Sequence, residues 1–366
     1  MTTTNPAAPA APLAPPDLAR IAKTVATKLP FRGDVTGLTP LAGDASNRRY
    51  FRVALKGKPS ALILMQLADP EGFKKSEEAV SGASVQIAEL PFTNVLAHLQ
   101  RTGVTVPQLH YYDREAGLLY LEDFGDLTLA EACRDADRAR LVSLYRQAID
   151  QLVLLQVKGT QPPAPGCIAF HRRFDVSLLM WEFDHFLEYG IAARLGQPMK
   201  PADDAAVRAA FQRIAELLAG QPQVFVHRDY HSRNLMVDGA RLGIIDFQDA
   251  LMGPATYDLA SLLKDAYIEL DDAVVDGLVD HFLDGLAAQG QGWADRAAFR
   301  RLFDFTSIQR NLKAAGRFVY IDRVKHNPKF LADIPRVLGY VKRNLSKYPE
   351  LATLRQHLAP YVSELQ

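Results

Sequence analysis

One stretch, Val224 to Asp249 (VFVHRDYHSRNLMVDGARLGIIDFQD), constrains this chain more than any other. It opens on an apolar lead-in, Val224, Phe225 and Val226, then crosses a polar loop from His227 to Asn234 and enters a strand at Leu235 to Val237. A turn at Asp238 and Gly239 follows, then a second apolar run, Leu242 to Ile245, that ends on Asp246. Two short strands joined by an Asp-Gly turn make a hairpin. The hairpin brings Asp229, Asn234 and Asp246 to one end. Transfer of a phosphoryl group from a nucleotide needs a carboxylate that accepts the hydroxyl proton and oxygen ligands that hold magnesium on the phosphates. Asp229 can be the first; Asn234 and Asp246 can be the second.

The order His227-Arg228-Asp229, four intervening residues, Asn234, then Asp246 at a strand end resembles the catalytic and metal-binding loops of the protein-kinase-like superfamily. A polar surface loop with solvated acids would not need so many residue types matched on the expected elements. The second motif reads Asp-Phe-Gln at 246–248 rather than Asp-Phe-Gly, which points to the small-molecule branch of the superfamily. The resemblance implies an α+β, two-lobed protein-kinase-like fold, with a small β-rich lobe and a larger helical lobe. We expect the nucleotide-binding lobe at 17–121 and the catalytic and acceptor-binding lobe at 122–366, after a disordered Ala/Pro-rich tail at 1–16.

Composition adds exclusions. The 366 residues, 48% of them hydrophobic, can bury a large core, and the length suits two lobes. Lys plus Arg equals Asp plus Glu at 42 each, so nothing favours a nucleic-acid partner. Cys133 and Cys167 lack metal-ligand spacing and fit a reducing cytoplasm. No apolar run is long enough for a bilayer, and the opening residues lack the basic and aliphatic regions of a signal peptide. A soluble, cytoplasmic monomer without a membrane partner is the expectation.

In the first lobe, Gly43, Asp44, Ala45, Ser46 and Asn47 lie between two strand candidates, where backbone N–H groups could cover nucleotide phosphates; read alone, the loop is equally an ordinary hairpin turn. On the next strand, Ser60 to Gln66, the superfamily's phosphate-binding lysine is replaced by Met65. Its partner glutamate, expected on a helix from Pro91 to Thr102, is replaced by Phe92. Loss of both is consistent, since either charge alone would be poorly compensated. Arg49 or Arg52 could hold phosphates instead, or simply be solvated. Strands at Val106 to Asp113 and Leu118 to Glu122 lead to the exit of the lobe, where the resemblance implies purine contacts through the backbone of Glu122 and Phe124.

Beyond Gly125 the pattern is helical. Arg138 to Val157 carries Leu141, Leu144, Tyr145, Ala148, Ile149, Leu152 and Leu155 on one face, with Gly159 as a stop. Further helices are expected at Val176 to Leu195, Asp203 to Ala219, Tyr257 to Leu270, Ala273 to Ala288, Arg296 to Phe318, Phe330 to Leu345 and Leu351 to Leu358.

The segment Gly253-Pro-Ala-Thr-Tyr-Asp-Leu-Ala-Ser261 is similar to the aminoglycoside phosphotransferase family, in which a Gly-Pro turn and a helix bearing Asp-Leu-Ala follow the metal aspartate. There Asp258 would brace the catalytic loop; an acid stabilised in a helix's first turn is the alternative. Gly43 to Ser46 with Arg-Arg-Tyr-Phe-Arg after it, His227 to Met236, Ile245 to Ala250 and Gln309 to Lys313 resemble that family's bacterial anomeric amino-sugar kinases, over roughly Leu41 to Arg323. The resemblance implies ATP and Mg2+ as cofactors and transfer of the γ-phosphate to the C1 hydroxyl of N-acetylmuramate and N-acetylglucosamine, as in peptidoglycan recycling. Asp229 would be the catalytic base and Asn234 and Asp246 the metal ligands. His227 would brace the loop. Arg233 would touch transferred phosphate or pair with an acid, and Asp249 would meet a sugar hydroxyl. From Arg296 to Lys347 thirteen Lys or Arg face only Asp304, Asp322 and Asp333, so an acidic acceptor suits this lobe better than a polycationic one. Arg310, Lys313 and Arg317 are candidates to meet its carboxylate, a solvated basic helix face being the alternative. An aminoglycoside kinase and a non-catalytic nucleotide-binding pseudokinase remain the other readings.

Overall fold

The computed structural model describes residues 14–41, 48–67 and 89–366. The expected phosphate-covering loop from Gly43 to Asn47 lies outside the described residues, as does 1–13 of the expected tail. The chain divides into two compact units, one drawn from Met1–Phe73 and Pro107–Asp123, the other from Lys74–Val106 and Phe124–Gln366.

The first unit is a five-stranded antiparallel sheet with a helix on it. Helix α1 (Leu18–Lys28) starts where the Asp17 carboxylate accepts the Ala19 N–H. Strands β1 (Asp34–Leu41), β2 (Arg48–Lys56), β3 (Ala61–Leu67), β4 (Leu109–Asp113) and β5 (Leu118–Leu121) take the order β1-β2-β3-β5-β4. Ile21, Val25 and Leu29 line one face of the helix at the i, i+4, i+8 spacing and pack on Phe51, Val53, Leu55, Leu62, Leu64, Leu118 and Tyr120. Burying each of those aliphatic side chains contributes roughly 1.5–3 kcal/mol. The expected strands at 106 and 122 are trimmed, because Glu122 instead donates its N–H to Gln108 O at 2.9 Å beyond the ladder. The Gln66 amide donates to Ala14 O at 3.1 Å, which fixes the start of the described chain to β3.

The second unit begins with α2 (Pro91–Thr102), closed by Gly103 in the left-handed region. A short α3 (Leu129–Arg134), not anticipated, is set by a capping box between Thr128 and Glu131. Helix α4 (Arg138–Thr160) buries the anticipated face but does not stop at Gly159. That glycine stays helical and is there for closeness, since a Cβ on it would stand 3.2 Å from the Phe225 side chain. Helix α5 (Val176–His185) passes into a π-helical stretch, Phe186–Ala193, and α6 spans Pro201–Ala219.

Strand β6 (Gln223–Val226) leads into the polar loop, and β7 (Leu235–Asp238) and β8 (Arg241–Ile244) form the hairpin. Its turn is one residue later than expected: Asp238 pairs with Arg241, and Gly239, at φ 60°, opens the bend. The expected Gly253-Pro254 turn is a strand, β9 (Leu251–Pro254), antiparallel to β6. Gly253 is required there because a Cβ would meet Phe174 at 2.7 Å. Helices α7 (Thr256–Leu263), α8 (Asp272–Ala288), α9 (Arg296–Lys325), α10 (Ile334–Lys347) and α11 (Ala352–Leu358) complete the unit. Helix α7 ends seven residues before the expected Leu270, and α9 runs seven past the expected Phe318, to a left-handed His326. No helix among the described residues is long and apolar enough to cross a membrane.

Candidate active site

Asn234 and Asp246 are held by different contacts at the hairpin. Asn234 donates its side-chain N–H to Asp229 O at 2.9 Å, and its own carbonyl accepts the Ile245 N–H at 3.0 Å. The amide nitrogen being committed to Asp229, the Asn234 Oδ1 is the atom left for a ligand. Asp246 is exposed, has φ 64°, and accepts Gln248 Nε2 at 2.9 Å on Oδ1. Arg228 also has φ 80°. Among the described residues only His326, a helix cap, shares this conformation in a side-chain-bearing residue, and such backbone costs about 1–3 kcal/mol unless its surroundings enforce it.

The enforcing groups are buried acids. Asp258, on the first turn of α7, accepts the N–H of His227 at 2.6 Å and of Arg228 at 3.0 Å. Burial pushes its carboxyl up to about 6 despite those bonds. The His227 ring nitrogen Nε2 lies 2.9 Å from Ile245 O, tying the loop to the residue that follows β8. Asp265, just past α7, accepts the Ser232 N–H at 2.9 Å and the Tyr267 N–H at 3.0 Å. Glu182 on α5 is fully buried and receives Arg228 at 3.2 Å, Lys313 at 3.0 Å and Gln309 at 2.8 Å. Burial opposes its ionisation, but Lys313 and Arg228 hold it below the ordinary carboxylate range. Sequence reasoning missed Glu182 and Asp265. Glu182 carried a signal, a charge set among Leu178, Leu179, Phe183 and Phe186; Asp265 carried none.

Asp229 is half-buried, which opposes its charge, yet Lys313, His231, Arg228 and Arg310 outweigh that and hold its carboxyl below the usual range. These charges favour its ionised form. Arg310 is buried and donates Nε to Ser261 Oγ. Lys313 also reaches Tyr257 OH at 3.2 Å; burial lowers its affinity for a proton, but Glu182, Tyr257 and Asp229 together outweigh that and raise it above the ordinary value. Neither is a solvated surface charge, so that alternative fails for both. Arg233 stands 3.6 Å over the Tyr267 ring, with Phe330 at 5.9 Å, and makes no close pair with an acid among the described residues. Asp249, half-buried, accepts Gln248 Nε2 at 3.0 Å.

The remaining expected residues divide between the two units. In the first unit Met65 is fully buried in β3 opposite Leu119, Arg49 lies over Phe51 at 5.0 Å, and Arg52 holds Asp123 with a two-bond contact at 2.6 and 3.1 Å. The Glu122 N–H is taken by Gln108, so an adenine contact there would use its carbonyl. In the second unit Phe124 packs so near β8 that a Cβ on Gly243 would come within 2.4 Å of its ring, and Phe92 stacks on Phe247 at 5.0 Å.

A buried, charge-braced loop presenting one carboxylate, followed by an amide oxygen and an exposed carboxylate, is the equipment of phosphoryl transfer. The chain matches the Phosphotransferase enzyme family (APH) over residues 37–299, and it belongs to that family. Its relatives include the N-acetylmuramate/N-acetylglucosamine kinase of Pseudomonas putida, 34% identical over 88% of this chain and 87% of that one. The enzyme of the same name from Neisseria meningitidis is 31% identical over 89% and 91%. In fold the chain is similar to a choline/ethanolamine kinase family protein from Mesorhizobium loti, TM-score 0.56 at 18% identity over 94% of this chain and 99% of that one. The gentamicin-APH(2")-IIa complex gives TM-score 0.58 at 11% identity over 89% and 97%. The fold is thus the α+β protein-kinase-like one, and the protein is a phosphotransferase.

Proposed function

We propose that this chain transfers the γ-phosphate of ATP to the C1 hydroxyl of N-acetylmuramate and N-acetylglucosamine, yielding sugar 1-phosphates in the cytoplasm. The observation that carries the substrate is the likeness, over most of both chains, to relatives bearing that activity in their names. The charge around Asp229 supports it: Lys313, Arg228 and Arg310 suit an acidic or neutral acceptor and repel a polycationic aminoglycoside.

In this reading Asp229 orients the acceptor hydroxyl and takes its proton as the oxygen bonds to phosphorus and the bond to the departing diphosphate breaks. Asn234 Oδ1 and the Asp246 carboxylate would hold Mg2+, and the fit is good. Both are hard oxygen donors, Asp246 is exposed, and Mg2+ keeps the rest of its shell for water and phosphates. The metal would neutralise charge on the phosphates. Arg233, beside Asn234, is assigned to the transferred group. Nucleotide contacts are assigned to Gly43 to Asn47, Arg49 and the backbone of Glu122 and Phe124, and Asp249 to a sugar hydroxyl. The test is an ATP-consumption assay over both sugars, aminoglycosides and choline, with NMR of the product to locate the phosphate. Turnover of kanamycin-like acceptors with neither sugar consumed would refute the proposal.

A further inference from the structure

Arg310, Lys313 and Arg317 lie at i, i+3 and i+7 on α9 and share one side of it. The first two are already engaged, by Ser261 and by Glu182 with Tyr257. Arg317 differs. It is half-buried, its guanidinium stands 5.0 Å from the Tyr320 ring centroid, and it makes no hydrogen bond or ion pair with any described residue. Glu182 is shared between Arg228 and Lys313, so one turn from the residue that acts on Asp229 stands a second cation with no counter-charge among the described residues.

Its surroundings are aromatic. Tyr320 meets Tyr189 edge-on at 5.0 Å and His185 at 5.3 Å, and Trp181 stacks on His185 at 5.7 Å. The sequence builds this closeness: a Cβ on Gly316, next to Arg317, would stand 2.7 Å from Phe186 Cα and 3.1 Å from His185 O. The backbone of α9 therefore lies against the start of the π-helical stretch, a feature that recurs at functional sites. Burial and the charges of Arg317 and Lys313 push His185 down to about 4, so its ring is neutral and adds no competing charge. Trp181, Tyr189 and Tyr320 are all half-exposed. A planar cation held by stacking and walled by aromatic faces matches a carboxylate carried on a ring with apolar C–H faces.

We propose that Arg317 binds the carboxylate of an acidic amino-sugar acceptor against the Trp181, Tyr189 and Tyr320 wall, and so sets the preference for the acidic over the neutral sugar. This inference rests on the sugar-kinase reading above. The experiment compares steady-state kinetics of the wild type, Arg317→Gln and Arg317→Lys on N-acetylmuramate and N-acetylglucosamine. Arg317→Gln is expected to lower the acid-to-neutral ratio of kcat/KM roughly 10- to 100-fold, the loss of a charge-assisted pair, chiefly through the KM of the acid. Arg317→Lys, which keeps the charge but not the fork, is expected to recover part of the ratio. Should the glutamine variant not fold, the lysine variant is read alone, with a rise in KM confined to the acid as the expected result. An equal change with both sugars, or an unchanged ratio, would overturn the inference and leave the sugar-kinase reading standing. A wild-type enzyme that uses only the neutral sugar would overturn it as well. Turnover of neither sugar by the wild type would remove the reading itself, and the inference with it.

Discussion

Replacing Glu182 by Gln removes one charge and almost no volume from the centre of the second unit. Glu182 is fully buried and is the shared acceptor of Arg228, Lys313 and Gln309. Without it two buried cations face an amide. If both stay charged, the cost is that of breaking a buried pair from one side, about 3–5 kcal/mol. If Lys313 instead gives up its proton at pH 7, the cost from its ordinary value of 10.5 is 3.5 units, about 5 kcal/mol. Both routes converge on a destabilisation of about 3–5 kcal/mol, a large part of a typical domain's stability. Urea unfolding followed by fluorescence reports on this unit, since Trp181 and Trp293 both belong to it. The double variant Glu182→Gln/Lys313→Met removes a cation as well and is expected to regain most of the loss.

The sign with pH follows from the depressed carboxyl of Glu182. Its stabilisation is fully present above the unfolded value near 4.5 and is lost as pH falls through the lower folded value. The variant should therefore differ most from wild type above pH 5 and converge with it in acid. A loss below about 1 kcal/mol at pH 7, or a double variant no more stable than the single one, would refute the reasoning.

Asp229→Asn keeps the shape of the loop and removes the proton acceptor, so kcat is expected to fall by about 10²- to 10⁴-fold in a folded protein, read by ATP turnover; near-normal turnover would remove Asp229 from the chemistry. Asp258 has its carboxyl raised by burial to about 6, so the folded state holds the proton more tightly than the unfolded chain, and its contribution falls as pH rises from about 4 to 6. Asp258→Asn should flatten that slope in urea titrations while lowering kcat, because one of the two oxygens that accept from His227 and Arg228 becomes an NH2 donor; an unchanged slope would assign the titration to another group. Met65→Lys would bury an unpaired ammonium in β3 and is expected to lower the unfolding free energy read from urea titrations by several kcal/mol without improving the KM for ATP; a tighter KM in an equally stable enzyme would refute this.

The loop, the hairpin and the amphipathic helices were legible because each rests on local spacing: the Asp-Gly turn, the 3.6-residue period of α4, the proline opening α2. What escaped depends on partners distant in sequence. Gly159 reads as a helix stop, but Phe225 makes it a contact point, and Gly253-Pro254 reads as a turn until β6 pairs with it. The length of α9 follows from packing along its whole course, which no single window of residues encodes. Arg310 and Lys313 could be placed on a helix by pattern, whereas their burial required Ser261 and Glu182 from other elements.

The charge arrangement around Asp229 bears on what a base must do in this reaction. Four positive or polar neighbours hold its carboxyl below the ordinary range, which makes it a weak proton acceptor in the resting enzyme. In a loose phosphoryl-transfer transition state the attacking hydroxyl loses its proton late, when the new bond to phosphorus has already made it acidic. A weak base then suffices, and the larger demand is that the carboxylate stay ionised and fixed. The loop meets that demand with backbone groups: Asn234 holds the Asp229 carbonyl, while Asp258 and Asp265 hold the amides on either side. The same cations that weaken the base also favour an anionic acceptor, so proton affinity and acceptor preference are set by one group of side chains.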